Sequence, residues 1–473
     1  MKYIIGIDVG TQSVKAGLVS LSDMELGRVT SRDYPSGALQ SADVICESAC
    51  AALRELTEYA GGGNVEGIGL SGQMHGTVLF DSTDRLIGPI INWQDERANA
   101  RSDRFGGKTT VERMTELIGP DIFPDLGIDV MASGFLGATL FHLMEFEPET
   151  FGNVAHAILP TDFVRRHITD GGPYVTDVTN AFSAGVFNTR ESVWHDECIR
   201  RLGLPRGIFP EVRQPGDIAG EVGPRAAQLT GMRAGTPVAV GGGDNQMAMI
   251  GSGVFAPDSP LLINIGTSGQ VCAVTPNYVK IPGVDTRSFI RGRFALVGAG
   301  ITGGICYTWL RNLILDDARL IGARPESGGK LFAALDRLAD AVPFGCDGLK
   351  FEPFLRGTRR EPSKRAAFTG IGHHNFTLGH RARAVMEGVV AELLDFYNQF
   401  EGVSATRLAG AGNGLVKSDI WRRITARMFG MTLQVMDFEN AVYGAALVAA
   451  EGLNLARIED GRFEFVKTHE PGD

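Results

Sequence analysis

The chain has no paired-cysteine motif, no block of lysine and arginine, and no apolar run of the length a membrane span requires. Its six cysteines (46, 50, 198, 272, 306 and 346) contain no CxxC pair. They read as reduced, mostly buried thiols, which sets aside a disulfide scaffold or a zinc knuckle. Cys46 and Cys50 would share a helix face, but neither has a His or Cys companion at ligand spacing. The 55 acidic residues exceed the 45 basic ones for a formal charge of −10, so the chain lacks the counterion-release footprint of a nucleic-acid binder. The apolar stretch Ala441–Ala450 falls far short of the ~18 residues a span needs. The opening Met1-Lys2-Tyr3-Ile4-Ile5-Gly6-Ile7 meets an acid at Asp8, too early for a signal peptide. The expectation is a cytoplasmic enzyme away from membranes, and a homodimer stays open.

What the chain does have is length and glycine. Its 473 residues predict two or three domains, and 62 glycines cluster beside strands, where backbones turn tightly or come close to a partner. Apolar β-rich runs at 3–9, 14–20 and 26–33 precede a helical pattern at 41–59 and a buried strand at Val65–Leu70. Mixed helix and loop follow to about residue 200. Pro237–Val240 is a strand running into Gly241-Gly242-Gly243-Asp244-Asn245, with a helix start at 246–252. Helices are expected near 303–316, 379–400 and 418–429. The alternation indicates the α/β class.

One repeat organises the whole. Ile7-Asp8-Val9-Gly10-Thr11 aligns with Ile263-Asn264-Ile265-Gly266-Thr267, each between apolar strands. This predicts two domains of similar topology, with the boundary near 240–255. A Gly-Thr turn offers backbone N–H groups and a hydroxyl to phosphate oxygens, and two turns across a cleft could hold a triphosphate from both sides. Only the first carries a carboxylate, Asp8 against Asn264, which suits a single hydrated Mg²⁺. Lys15 reads equally as charge near the phosphates or as a solvated strand residue.

Asp244 follows a strand and three glycines and begins a helix. A plain N-cap is one reading. The other is a general base at a domain junction, with the glycines letting a substrate reach the backbone. Gln73, Met74 and His75 lie in a glycine-bracketed turn, and Asn92-Trp93-Gln94-Asp95-Glu96-Arg97 supplies amide, indole, carboxylate and guanidinium. Together they offer the donors, acceptors and apolar face of a polyol pocket. Gly410-Ala411-Gly412-Asn413-Gly414 could pass under a flat ring such as adenine, or be a plain turn. Three patterns are set aside. Gly298–Gly303 matches GxGxxG without a βαβ unit or acidic ribose partner, Gly107-Lys108-Thr109 lacks the first P-loop glycine, and His373-His374 has no further ligand.

These motifs together resemble the FGGY family of carbohydrate kinases, of the actin–hexokinase–heat-shock ATPase superfamily, from Asp8-Val9-Gly10-Thr11 to Gly444-Ala445-Ala446. The resemblance implies two actin-like (ribonuclease H-like) domains with a ligand cleft between them, here 1–243 for the sugar and 244–473 for the nucleotide. It implies that Asp8, Gly10, Thr11, Gly266, Thr267, Ser268 and Gly269 handle phosphates and metal, with Mg²⁺ at Asp8. Asp244 would be the catalytic base, Gly410, Gly412 and Asn413 would contact the adenosine, and Gly303 or Gly304 would lie near the nucleotide. On the sugar side the expected residues are Gln73, Met74, His75, Trp93, Asp95, Asp244 and Asn245. Ser71–Gly76 resembles the ketose branch of the family. Trp93-Gln94-Asp95, Asn180-Ala181 with Phe187-Asn188-Thr189, and Gln246 look closer to sedoheptulokinases, whereas Gly241–Asn245 and Ile265–Gly269 look closer to xylulokinases. Residues 357–362 depart from the family's Gly-Glu-Arg-x-Pro pattern, which leaves Arg359 and Arg360 without a carried-over role. The expectation is an ATP-dependent ketose kinase, sedoheptulose first and xylulose as the alternative. Outside that class stand an NAD-dependent dehydrogenase using 298–303 and a non-catalytic sugar or nucleotide sensor.

Overall fold

Apolar side chains recur at every second position of the first strand, and the structure uses both of its faces. The computed structural model describes residues 1–300, 302–322, 328–358, 361 and 363–472, so Ile301, Arg359 and Arg360 lie outside the described residues. The chain opens with β1 (Tyr3–Val9), β2 (Ser13–Ser20) and β3 (Leu26–Asp33), then α1 (Ala42–Ala60) and β4 (Val65–Gly72). After a long excursion that includes α2 (Leu136–Phe146) and the short α3 (Val178–Phe182), it returns as β5 (Ile218–Glu221), β6 (Pro237–Ala239) and β7 (Gly242–Gly243). These strands form one sheet in the order β5-β6-β4-β1-β2-β3, with β7 also on β4. β1, β6 and β7 run parallel to β4, while β1–β2 and β2–β3 are antiparallel.

The second half begins with α4 (Asp244–Gly251), β8 (Leu261–Ile265) and β9 (Gly269–Thr275). There follow β10 (Asp285–Ser288), β11 (Phe294–Gly300), α5 (Gly304–Leu320), α6 (Leu378–Tyr397) and β12 (Arg407–Ala411). The chain ends through α7 (Asn413–Lys417), α8 (Asp419–Phe429), β13 (Thr432–Val435), α9 (Asn440–Gly452) and β14 (Lys467–His469). The second sheet runs β10-β11-β9-β8-β12-β13-β14. Its β8–β9 hairpin, with β12 parallel to β8, repeats the β1–β2 hairpin with β4 parallel to β1. The five-residue sequence repeat therefore marks a duplicated topology of two α/β units. The glycine run at 298–300 lies in an antiparallel strand, a setting unlike the parallel strand that leads into a dinucleotide-binding turn.

Alternation explains how the first sheet is covered. Ile5, Ile7 and Val9 pack with Ile45 and Leu53 of α1 on one face. On the other, Ile4 joins Met247 of α4 and Ala445 and Ala449 of α9. Glycine makes that second layer possible: a side chain at Gly6 would begin 1.9 Å from the Val442 carbonyl oxygen, and one at Gly69 2.0 Å from that of Ala445. The backbone of α9 thus lies directly on β1 and β4, which a β-carbon would forbid. Gly251 and Gly444 do the same where α4 crosses α9, so residues 440–452 return to the first sheet. All six cysteines are free and buried, Cys46 and Cys50 both inside α1. Among the described residues no helix is long and apolar enough to cross a membrane.

Candidate active site

Parallel strand ends converge on one edge of the first sheet. Asp8 is in register with Ser71 of β4, and Ser71 with Gly242 of β7. Asp8 and Asp244 therefore leave the same carboxyl edge, where open α/β sheets take their ligands. Ser71 donates to Asp8 Oδ1 at 2.7 Å, and Oδ2 points toward the Gly10 turn. Burial raises the Asp8 carboxyl above the usual range, with Ser71 and Lys15 opposing it. Lys15, opposite Asp8 on β2, reaches Glu439 at 2.9 Å, just ahead of α9. At Gly10, the N–H donates to the Ser13 carbonyl at 2.9 Å and Tyr34 donates to its carbonyl oxygen.

Asp244 is the first residue of α4, after Gly243 at the cap position, and its carboxylate accepts the Asn245 N–H at 2.7 Å. Burial, and next the charge of Asp8, push its pKa up to about 7, against the Asn245 N–H and Arg287. Two neighbouring carboxylates in a poorly solvated site disfavour double ionisation, a common arrangement where a group must exchange protons near neutrality. The preceding glycines play a different part from the one expected. Side chains on Gly241, Gly242 and Gly243 would fall within 3.0 Å of Leu70, Met247 and Met74, so protein already fills that space. The glycines let β7 seat closely beside β4 and do not open the backbone to a substrate.

A cleft of about 660 Å³ lies between the two halves. His75, Trp93, Phe135 and Phe182 line it from the first half, and Asp285, Arg287, Ala299 and Glu392 from the second. His75 adopts φ +67°, uncommon for a non-glycine residue. Ser183 fixes it twice, its hydroxyl taking the His75 N–H at 2.9 Å and its carbonyl meeting Nδ1 at 2.9 Å, while Phe135 stacks on the ring. Trp93 is 46% exposed, and its indole N–H donates to the Thr11 hydroxyl at 2.8 Å. Thr11 also donates to Gln73 Oε1 at 3.3 Å, and Gln73 donates to Gln40 at 2.9 Å, so one hydroxyl joins the first turn to the cleft wall. Gln73, Met74 and Asp95 are buried behind that wall, and Asp95 is engaged by Arg97 Nε at 2.8 Å.

The second half gathers its glycine-rich segments around the β8–β9 turn. Gly304 N–H donates to the Gly266 carbonyl at 2.9 Å, and Ile305 N–H to that of Thr267 at 3.1 Å. The N-terminus of the 17-residue α5 thus begins against Gly266–Ser268, a setting that favours anions. A side chain on Gly303 would meet the Ser268 carbonyl carbon at 2.3 Å, and one on Gly412 would meet Asn264 Oδ1 at 2.4 Å. Gly410 ends on β12 beside them, and Asn413 begins α7. Asn245 links this cluster to Asp244, donating to Gln270 Oε1 at 3.1 Å, two residues past Ser268.

Sequence reasoning missed Arg287. Its guanidinium donates to Asn245 Oδ1 at 3.3 Å, pairs with Asp285 at 2.9 Å and stands over Phe182 at 5.6 Å. The available signal was a charged pair two residues apart, hence on one face, in the strand-like stretch Asp285-Thr286-Arg287-Ser288. Thr179 and Asp177, behind Gly243, carried no comparable signal.

Known proteins resemble the chain along both halves. Residues 3–251 match the N-terminal domain, and 261–453 the C-terminal domain, of the FGGY family of carbohydrate kinases. A xylulose kinase of Bacillus subtilis (strain 168) is 28% identical over 470 residues, covering 96% of this chain and 88% of that protein. In fold, the chain is similar to a gluconate kinase from Lactobacillus acidophilus (TM-score 0.87, 23% identity, 99% of this chain and 94% of that one). It is likewise similar to a ligand-bound xylulose kinase from the same organism (TM-score 0.86, 23% identity, 100% and 94%). With both family domains matched in order along a duplicated α/β fold, the chain belongs to the FGGY family of carbohydrate kinases and is an ATP-dependent sugar kinase.

Proposed function

We propose that the enzyme transfers the γ-phosphate of ATP to a primary hydroxyl of a ketose, with D-xylulose as acceptor and D-xylulose 5-phosphate as product. The observation that carries the reading is the Asp8–Asp244 pair on one strand edge, with the pKa of Asp244 pushed up to about 7. A base with a pKa near the working pH combines availability with driving force for proton removal. Asp244 accepts the proton of the attacking hydroxyl. Residues 1–243 hold the sugar, with His75 and Trp93 on the cleft wall and Gln73, Met74 and Asp95 shaping that wall from behind. Asn245 places an amide beside the base.

Residues 244–473 hold the nucleotide. Gly266, Thr267 and Ser268 face the phosphates with Gly303 and Gly304 beneath them, and Gly410, Gly412 and Asn413 take the adenosine. Gly10, Thr11 and Lys15 approach the phosphates from the first domain. Asp8 fits Mg²⁺, since Ser71 orients one carboxylate oxygen and the other faces the Gly10 turn. Magnesium usually keeps several waters and needs only one or two carboxylates beside the phosphates. When bound, the ion supplies charge neutralisation at the transferring phosphoryl group.

The sequence details at 93–95, 180–189 and 246 favour sedoheptulose. Relatives named xylulose kinase that span almost the whole chain weigh more, and support the xylulose reading over that one. ADP release measured with xylulose, ribulose, sedoheptulose, fructose, glycerol and gluconate tests the choice. The highest kcat/KM is expected for xylulose, and a higher value for sedoheptulose overturns it. Asp244→Asn should lower ketose phosphorylation at least ~10²-fold with ADP binding retained. Unchanged turnover removes Asp244 from the base role.

A further inference from the structure

The amide of Gly243, one residue before Asp244, makes a hydrogen bond that the sheet does not supply. β7 pairs with β4 on one side only, and on its other side the Gly243 N–H donates to the Thr179 hydroxyl at 2.8 Å. Thr179 is fully buried, and its hydroxyl donates in turn to Asp177 Oδ1. The Asp177 carboxylate also accepts the Thr179 N–H at 2.7 Å, the Asn180 N–H at 3.1 Å and the Asn180 side-chain amide at 2.6 Å. Both ends of the Thr179 hydroxyl are therefore assigned. Its proton goes to Asp177, which leaves a lone pair for Gly243, and such a chain strengthens each of its members.

We propose that Thr179, fixed by Asp177, is a positioning residue that sets the aim of the Asp244 carboxylate. The inference rests on the reading of Asp244 as the base. On the far side of Asp244, Asn245 is anchored to Gln270 and Arg287 of the second half. The catalytic carboxylate is thus held between a first-half anchor at Gly243 and a second-half anchor at Asn245. The same short segment also supplies Ser183, which fixes His75, and Phe182, which supports Arg287. Helix α3 accordingly registers the base against the cleft wall. A Gly243 N–H deprived of the Thr179 oxygen would be buried without a partner, and the 242–243 peptide would rotate to find one, turning Asp244 with it.

The test is a mutant cycle on the full-length enzyme, with Thr179→Val as isostere, Thr179→Ser as rescue, and Asp244→Asn alone and combined with Thr179→Val. Thr179→Val should lower kcat by about ten- to a hundredfold. KM values for ketose and ATP should stay within about twofold, and Thr179→Ser should restore most of the rate, because the effect is on aim and not on binding. The double variant should be no slower than Asp244→Asn, since a residue acting through the base has no effect once the base is gone. Full activity of folded Thr179→Val overturns the proposal. So does a loss that serine fails to rescue, a parallel rise in both KM values, or a further loss on the Asp244→Asn background. Thr179→Ala replaces valine if that variant does not fold. Full activity of Asp244→Asn instead refutes the base reading, an outcome the single Asp244 variant shows by itself.

Discussion

Asp8 and Asp244 share one strand edge, and the charge of Asp8 is second only to burial in holding the Asp244 carboxyl above its usual range. The pair makes Asp244 sensitive to protonation in a way that a lone N-cap aspartate is not.

Stability should follow that sensitivity. The carboxyl titrates near 3.8 when unfolded and near 7 in the folded chain, so the native state binds its proton more tightly. The stabilisation is present at pH 4 and is lost as the pH rises through about 7. Asp244→Asn removes the cost of ionising there. Thermal melts without nucleotide should show the variant more stable at pH 8, by on the order of 1–3 kcal/mol, with the gap closing toward pH 4. A constant gap across that range would mean that Asp244 does not titrate as described.

Magnesium dependence should move with Asp8. In Asp8→Asn the half-saturating Mg²⁺ concentration is expected to rise about tenfold or more, because Asp8 is the carboxylate proposed to meet the ion. Titrating Mg²⁺ at saturating ATP and ketose measures this. An unchanged requirement would assign the ion to the phosphates alone.

Gly303→Ala should weaken the nucleotide side specifically. Its new β-carbon would begin 2.3 Å from the Ser268 carbonyl carbon and 2.4 Å from Gly269 N, and backbone on both sides leaves no room to yield. The 266–269 turn must shift, at a cost of roughly 1–3 kcal/mol in stability. Calorimetric ADP affinity should fall while ketose binding persists. Equal losses for both ligands would point to general disruption.

Lys15 and Glu439 form a half-exposed pair, worth less than about 1 kcal/mol. Glu439→Gln should therefore barely change melting. Lys15→Met should raise KM for ATP severalfold if the ammonium turns to the phosphates. Matching ATP kinetics in Lys15→Met and wild type would leave the lysine a structural partner of Glu439.

The hairpins, the duplicated turn and the Asp244 junction were legible because short-range patterns create them: alternation for β1 and β2, and the shared Gly-Thr for the two turns. Helix α9 was not. Residues 442–450 are buried on every side, so its sequence has no amphipathic period to read. The glycines at 241–243 were misread because a sequence cannot say whether empty space is reserved for a ligand or for Met74 and Met247. Gln73 and Asp95 carry polar groups that suit a sugar, yet Gln73 is engaged by Thr11 and Gln40, 62 and 33 residues away, and Asp95 by Arg97, only two residues on. Arg287 and Thr179 act through contacts across 42 and 64 residues of chain, beyond the reach of any local motif.

The bed that Gly6 and Gly69 provide for residues 440–452 has a bearing on biosynthesis. During translation β1 and β4 emerge more than 350 residues before the helix that covers their second face. Until that helix leaves the ribosome, Ile4 and the bare glycine backbone around it stay open to water and to chaperones. The catalytic edge therefore acquires this support only once residues 440–452 have been made, which couples competence for phosphoryl transfer to a helix remote in sequence from the strands it covers.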